Sequence, residues 1–444
     1  MKRRDFLKVA AVLSAGQALT ANTPKVHAAE SNLIQIALVG AGGRGRGAAA
    51  QALYADDNTK LVAVADAFPD RTKNSTAALV QQFEKQTGRV VVPPEKQFSG
   101  LNAYKQAIDT LNKGDVAIFA SPCGFRPLHV EYAVKKGINV FMEKPFAVDS
   151  PGTRRIQAAA KLADETGVKI ACGLMWRHSK AREEVIKRIH GGEIGQLIHL
   201  RGFRLHDGLV KGGTKPADMT EVEFQIKNFH CFDWAGANLF IDYCIHNIDV
   251  ACWAKGSWPV SCIALGGRSE PNLKGESYDT YYHEFQFADG THLTSHGRYR
   301  MNCFNMYSDF AHGTKGSAVL MESLSKAGTK LFKDQTMSKE SQIWADDGKE
   351  PNPYQYEHDL FFDAVRNNKP YNEGHRAAEA NFASLLGRAA QNSGQRVTWE
   401  QIVNSDVVLC PNLETLAMDG EAPVKPNTDG NYPYAVPGET KNVF

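Results

Sequence analysis

The run Leu38-Val39-Gly40-Ala41-Gly42-Gly43-Arg44-Gly45 has the residue types and spacing that hold a diphosphate. Gly40 permits a sharp turn, Gly42 lets backbone approach a pyrophosphate, and Gly45 lets a helix pack closely on the preceding strand. The free N–H groups of the helix start, around Gly43 and Arg44, then meet the phosphates at the positive end of the helix dipole. Asp66 lies 21 residues beyond Gly45, at the end of the next apolar run. A carboxylate there accepts hydrogen bonds from ribose hydroxyls and repels a 2′-phosphate, which favours NAD over NADP. A glycine cluster alone is an ordinary turn, and Asp66 alone a strand-end residue. Strand, glycines, helix and acid in this order make the nucleotide reading. Arg44, Arg46 and Arg71 either reach a phosphate or are solvated surface.

Three further segments carry groups that move protons or hold charge. Ser121-Pro122 ends a third apolar run, with His129 just beyond, and Glu143-Lys144-Pro145 ends a fourth. Ligands of open parallel sheets lie outside the carboxyl ends of the strands, so Ser121, Pro122, His129, Glu143 and Lys144 are expected to face the cofactor. The third segment is Asp242-Tyr243-Cys244-Ile245-His246-Asn247-Ile248-Asp249. Its Asp242 and His246 are four apart, on one face of a helix, and can point into one site.

The elements that must position these groups follow from hydrophobic period. Short apolar runs at 33–39, 61–65, 116–120, 139–142 and 168–172 read as buried parallel strands. Helical segments fall between them, from about 71, near 102–111, at 127–136 and from Pro151. Such alternation means a doubly wound α/β sheet of Rossmann type. Beyond Gly173 the strands lengthen and alternate, at 197–205, 260–266, 280–287 and 291–300, with Ala288-Asp289-Gly290 as a hairpin turn. A helix at about 237–253 interrupts them, and helices at 356–367 and 376–391 come late. The second domain is therefore α+β with a large open, mostly antiparallel sheet. The expected division is a signal peptide over 1–28, the nucleotide-binding domain over 29–172 and a substrate and oligomerisation domain over 173–400. A wrapping tail, rich in Pro, Gly and Asn towards its end, is expected over 401–444.

The chain resembles the glucose-fructose oxidoreductase, inositol dehydrogenase and MocA (Gfo/Idh/MocA) family over most of residues 33–400. The motifs that carry the resemblance are Gly40-Ala41-Gly42-Gly43-Arg44-Gly45, Glu143-Lys144-Pro145, Gly173 with Arg177, Asp242-x-x-x-His246 and Gly313-Thr314-Lys315-Gly316-Ser317. The resemblance implies that Lys144, Asp242 and His246 are catalytic in hydride transfer between a secondary hydroxyl and the nicotinamide. Elementary chemistry agrees: a histidine can take the hydroxyl proton, and an ammonium beside the same oxygen stabilises a developing alkoxide. The alternatives are a satisfied core histidine, a strand-end salt bridge and a helix N-terminal charge. Arg177, Trp176, Tyr243 and Asp249 are weaker substrate-binding candidates, with ion pair, core and surface roles as the competing readings. His178, His206, His230 and Trp234 are weaker still. Two features depart from many relatives. Ala235-Gly236-Ala237-Asn238 stands where they have three glycines, and His246-Asn247-Ile248-Asp249-x-x-x-Trp253 marks a branch whose substrates are poorly defined.

Of 444 residues, 23% are charged and the net charge is +2, with no charged block. Arg3-Arg4-Asp5-Phe6-Leu7-Lys8 before a mild apolar run, with Val26-His27-Ala28 as a cleavage site, reads as a twin-arginine export signal. The protein is thus expected in the periplasm or another extracytoplasmic space, delivered by the twin-arginine machinery. Removing residues 1–28 takes away five basic side chains and one acidic one and leaves a net charge of −2. That gives no electrostatic case for nucleic acid or an anionic membrane, and no later stretch is apolar enough to span one. None of the eight cysteines forms a Cys-x-x-Cys pair or a zinc spacing with His, so free thiols and no metal are expected. The expected partner is a sugar, cyclitol or glycoside, and a homo-oligomer is expected from the open sheet. Export implies a tightly bound cofactor that is reduced and reoxidised in place. That is also the economy of a redox-neutral glycoside hydrolase. A non-catalytic sugar-binding or sensor protein is the reading from another class.

Overall fold

Ile34, Ile36 and Leu38 face one side of the first strand, Ala37 and Val39 the other, and all five are buried. Only a strand covered by helices on both faces buries both parities. The computed structural model, which describes residues 32–208, 212–270, 273–323, 328–441 and 443, places it at the centre of such a sheet. The expected export signal lies outside the described residues.

The first half runs β1 (Ile34–Val39), α1 (Gly43–Ala55), β2 (Thr59–Asp66), α2 (Pro69–Gln82), β3 (Gln97–Ser99), α3 (Ala103–Ile108), β4 (Val116–Phe119), α4 (Arg126–Lys135), β5 (Asn139–Met142), α5 (Ser150–Thr166) and β6 (Ile170–Cys172). The strands are parallel in the order β3-β2-β1-β4-β5-β6. The chain reverses direction across the sheet between β1 and β4, and there the carboxyl ends open a crevice.

The second half runs α6 (Lys180–His190), β7 (Leu197–His206), α7 (Glu221–Lys227), α8 (Asp233–Gly236), α9 (Leu239–Lys255), β8 (Ser261–Gly267), β9 (Thr280–Gln286), β10 (His292–Tyr299), β11 (Met306–Gly313), β12 (Ser317–Met321), β13 (Lys330–Phe332), β14 (Gln342–Ala345), α10 (Pro353–Arg366), α11 (Gly374–Ser393), β15 (Val397–Thr398) and α12 (Trp399–Val403). Nine strands form one sheet, β14-β13-β12-β11-β7-β10-β9-β8-β15, antiparallel except where β10 runs parallel to β7. Its buried face packs on α9 and α11 through Phe240, Ile248, Phe285, Leu293, Leu385 and Leu386.

The chain then returns to the first sheet. Phe361, Phe362 and Val365 of α10 share a core with Ile34, Ile36 and Leu38 of β1, and Ala377 and Ala378 of α11 pack beside α5. The described residues after 403 run without regular structure, in part over α7: Gln225 donates to Val424 O and Tyr432 bonds Glu221, while Tyr278, just before β9, donates to Ala435 O. All eight cysteines are free thiols, and seven are buried. Among the described residues no helix is long and apolar enough to cross a membrane.

Candidate active site

Gly40 has φ +93°, and a Cβ there would lie 2.2 Å from Ser121 N, so only glycine lets β1 turn against the end of β4. A Cβ on Gly45 would lie 1.9 Å from Gly40 O, so α1 starts in direct contact with that turn. On Gly42 and Gly43 a Cβ would meet nothing within 4 Å; their bare backbone faces open space. Ala41 N donates to Asp66 Oδ2 at 2.7 Å and Phe68 N to Oδ1 at 3.0 Å. Asp66 thereby braces the loop, and burial raises its carboxyl above the ordinary value. Gly40, Gly42, Gly43, Arg44, Gly45, Asp66, Ser121, Pro122 and His129 all line one cavity of about 450 Å³. His129 is buried behind Ser121, with Nδ1 3.1 Å from Ser121 Oγ, and burial, reinforced by Arg126, pushes it down to about 3. It is a neutral prop for the turn. Glycine backbone, helix start, acid and cavity together fit a dinucleotide.

A second cavity, of about 470 Å³, adjoins the first and shares Arg44, Ala120, Ser121, Pro122 and Phe229 with it. Lys144, Asp242, Tyr243 and His246 line it, brought together from β5 and α9. Asn238 starts α9: its side chain accepts from Ile241 N at 3.1 Å. The helix is enclosed on nearly every side, so each polar residue on it must find a partner or a purpose. Lys144 Nζ donates to Asp242 O at 2.5 Å and Asp242 Oδ1 at 3.0 Å, and His230 Nδ1 lies 3.1 Å from Asp242 Oδ2. Burial alone would raise the Asp242 carboxyl, but Lys144 and His230 overcome it and hold the group well below the carboxylate range. His246 Nδ1 has no protein partner. Burial, then the charges of Lys144 and Arg204, push this imidazole well below its ordinary value, so it is neutral.

Some expected residues stand elsewhere. Glu143 and Lys144 face the second cavity rather than the nucleotide cavity, and Glu143 is ion-paired to Arg44. Arg177 and Asp249, expected beside substrate, form a buried two-point ion pair at 2.8 Å under Trp253, outside both cavity walls. Trp176, expected to stack on a sugar ring, is buried against the Arg182 guanidinium, 3.7 Å from its ring centroid. Of the aromatic candidates Tyr243 reaches the cavity, whereas Trp234 is a core residue that donates to Gln225. Arg204, Tyr307, Tyr354 and Phe229, which sequence reading passed over, complete the wall with His230.

Residues 34–174 match the oxidoreductase family GFO_IDH_MocA. That family is described by an NAD-binding Rossmann fold, and the six-stranded parallel sheet lies within the matched residues. The chain is 26% identical over 246 residues to scyllo-inositol 2-dehydrogenase (NAD(+)) of Bacillus subtilis (strain 168), a match covering 55% of this chain and 60% of that protein. Two solved structures share its fold. The aldose-aldose oxidoreductase from Caulobacter crescentus complexed with glycerol has a TM-score of 0.61 at 16% identity, covering 82% of this chain and 99% of the other. An oxidoreductase from Agrobacterium radiobacter in complex with NAD+, L-tartaric acid and magnesium has a TM-score of 0.60 at 15% identity, covering 83% and 98%.

Proposed function

We propose that this protein is an exported, NAD-dependent oxidoreductase acting on a secondary hydroxyl of a sugar, cyclitol or glycoside. The observation that carries the reading is the junction at Ser121-Pro122, where a cavity fit for a dinucleotide opens onto one lined by Lys144, Asp242 and His246. NAD, when bound along Gly40–Gly45 and Asp66, supplies the hydride acceptor. The neutral His246 takes the hydroxyl proton. The Lys144 ammonium stabilises the oxygen that loses it, in a site where low dielectric strengthens that interaction. Asp242 holds Lys144 in place through its carbonyl and carboxylate.

Twin-arginine export, read from Arg3-Arg4-Asp5-Phe6-Leu7-Lys8, makes the cofactor a retained one, loaded before export and restored within each cycle. Redox-neutral glycoside hydrolysis has one observation in its favour. It needs a second base beside the ring, and His230 stands in the same wall, across Asp242 from Lys144. The test is spectroscopic. The purified protein is assayed for bound nicotinamide, and sugars and glycosides are added without free NAD. Growth of the reduced-cofactor band supports the oxidoreductase; release of an aglycone without net NADH identifies the hydrolase. A protein that carries nucleotide yet shows neither response, and binds sugar, is a binding protein.

A further inference from the structure

Three of the four arginine and lysine side chains in the second cavity are held by a carboxylate or by two backbone carbonyls. Arg44 pairs with Glu143 and Lys144 with Asp242, and Arg126 donates to the carbonyls of Pro145 and Ser121. The exception is Arg204. It stands on β7 directly across from Tyr307 of β11, and both line the cavity that holds Lys144 and His246. A bulge where β11 skips Ile198 sets the face to which Arg204 turns. The guanidinium lies 3.8 Å from the Tyr307 ring centroid and 5.2 Å from that of Tyr243, and its Nε donates to Tyr299 Oη at 3.3 Å. Nη1 is buried without a hydrogen-bond partner. Among the described residues no carboxylate forms an ion pair with Arg204.

A guanidinium taken out of water needs an anion or a full set of acceptors. Tyrosine faces return part of the cost, as cation–π contacts, but they leave the forked end of the group unused. That fork matches a carboxylate through two parallel N–H bonds. The charges argue the same way. Arg44, Arg126, Lys144 and Arg204 face only Glu143 and Asp242 in the cavity wall, so the wall carries surplus positive charge. Arg204 and Tyr307 also border a cleft of about 580 Å³ at the ends of β7 and β11, so the group that meets Arg204 lies at the outer rim of the ligand, away from the nicotinamide side.

We propose that Arg204 binds a carboxylate of the substrate, so that the enzyme takes a sugar acid, a hexuronate or aldonate or a glycoside of one, in preference to a neutral polyol. This rests on the oxidoreductase reading for the orientation of the ligand, but not for its charge. A phosphate is a poorer match: it is doubly charged, and Arg44 and Lys144 are already paired with Glu143 and Asp242.

The test is equilibrium calorimetry on the NAD-loaded protein, with glucuronate and galacturonate against glucose and galactose, and glucose 6-phosphate as the phosphate arm. At least one uronate is expected to bind about 10- to 100-fold more tightly than its neutral counterpart, as a charged hydrogen-bonded pair provides. R204Q is expected to abolish that ratio and R204K to restore part of it. Acetate is expected to compete with the uronate on the unaltered protein, a measurement that stands even where the variants do not fold. Equal affinity for acid and neutral sugars overturns the proposal. So does a ratio that survives R204Q, tighter binding of glucose 6-phosphate than of either uronate, or failure of acetate to compete. Heat of binding does not depend on turnover. Uronates that bind without reducing the cofactor sink the oxidoreductase reading and keep Arg204 in its role. Neutral sugars that reduce the cofactor while uronates fail to bind do the reverse.

Discussion

His246 reaches the cavity already in the form a general base needs. Burial first, then Lys144 and Arg204, hold its pKa well below the ordinary value of about 6.5. A base with a depressed pKa is unprotonated above that value and loses competence only as pH falls through it. The rate of substrate oxidation, as kcat/KM, is therefore expected to stay level from about pH 8 down through pH 6 instead of falling near 6.5. An acid limb at 6.5 in the measured profile would show that His246 is not the base. Lys144→Ala and His246→Ala are each expected to keep bound nucleotide and lose about 10²–10⁴-fold in turnover. Near-normal rates in either variant refute the assignment. Asp66 has a double task, since both its oxygens already hold loop N–H groups. Asp66→Ala is expected to lower Tm and to narrow the preference for NAD over NADP in a nucleotide-binding titration; unchanged selectivity would confine Asp66 to bracing the loop. The places of the glycines and Asp66 in one cavity wall were legible from type and spacing, and those of Lys144, Asp242 and His246 in the other from the family resemblance. Arg204 was not. An arginine in an alternating strand reads as solvent-facing, and only the bulge at Ile198 and the pairing with Tyr307 turn it inwards.

The nucleotide loop is held by two kinds of glycine, and they fail differently. Gly45 is a packing glycine: a methyl group there meets Gly40 O at 1.9 Å and Ala120 Cβ at 3.2 Å, so α1 must shift away from β1. Gly42 has open space where a Cβ would go. Gly45→Ala is expected to destabilise by about 1–3 kcal/mol, as overpacking does, and to weaken NAD binding with it. Gly42→Ala is expected to weaken NAD binding while Tm holds, because its methyl fills the ligand's space and not the protein's. Equal loss of Tm in both variants would overturn this division. Five of the six parallel strands were readable because burial on both faces writes an unbroken apolar run; β3, three residues long and only partly buried, was missed. β11 was missed, since Ser308 and Asp309 are buried within it and interrupt the alternation. β13–β15 are two to four residues long, too short to show a period. α9 was legible as a helix, but not which of its polar residues serve the site. Arg177 withdraws Asp249 and leaves Asp242 and His246 to the cavity, a sorting made by strands and helices distant in sequence.

The two halves of the molecule are tied by the late helices. α10 completes the core beneath β1, and α11 packs both on α5 and on the buried face of the nine-stranded sheet. Among the described residues no helix covers the opposite face of that sheet in this way. Leu265 is 74% exposed and Ile263 48%, beside the half-buried Phe203, Tyr282, His296 and Phe310. Phe203 stacks on His296 with ring centroids 4.6 Å apart. A broad apolar and aromatic face of this kind marks an interaction surface. A strand surface can cover itself with a second copy about a two-fold axis, where every contact of one residue with another is made twice and residues near the axis meet their own counterparts. We propose that the sheet pairs in this way in solution. Ile263→Asp with Leu265→Asp would place carboxylates on both sides of the axis, where like charges repel and neither finds a partner. The double variant is expected to sediment as a monomer under conditions where the unaltered protein is a dimer or larger. It is expected to retain bound nucleotide, because β8 stands three strands along from β7, which lines the cavity, and contributes no residue to either cavity wall. Unaltered protein that sediments as a monomer at high concentration would leave this face for another partner, and a double variant that still assembles would place the interface elsewhere.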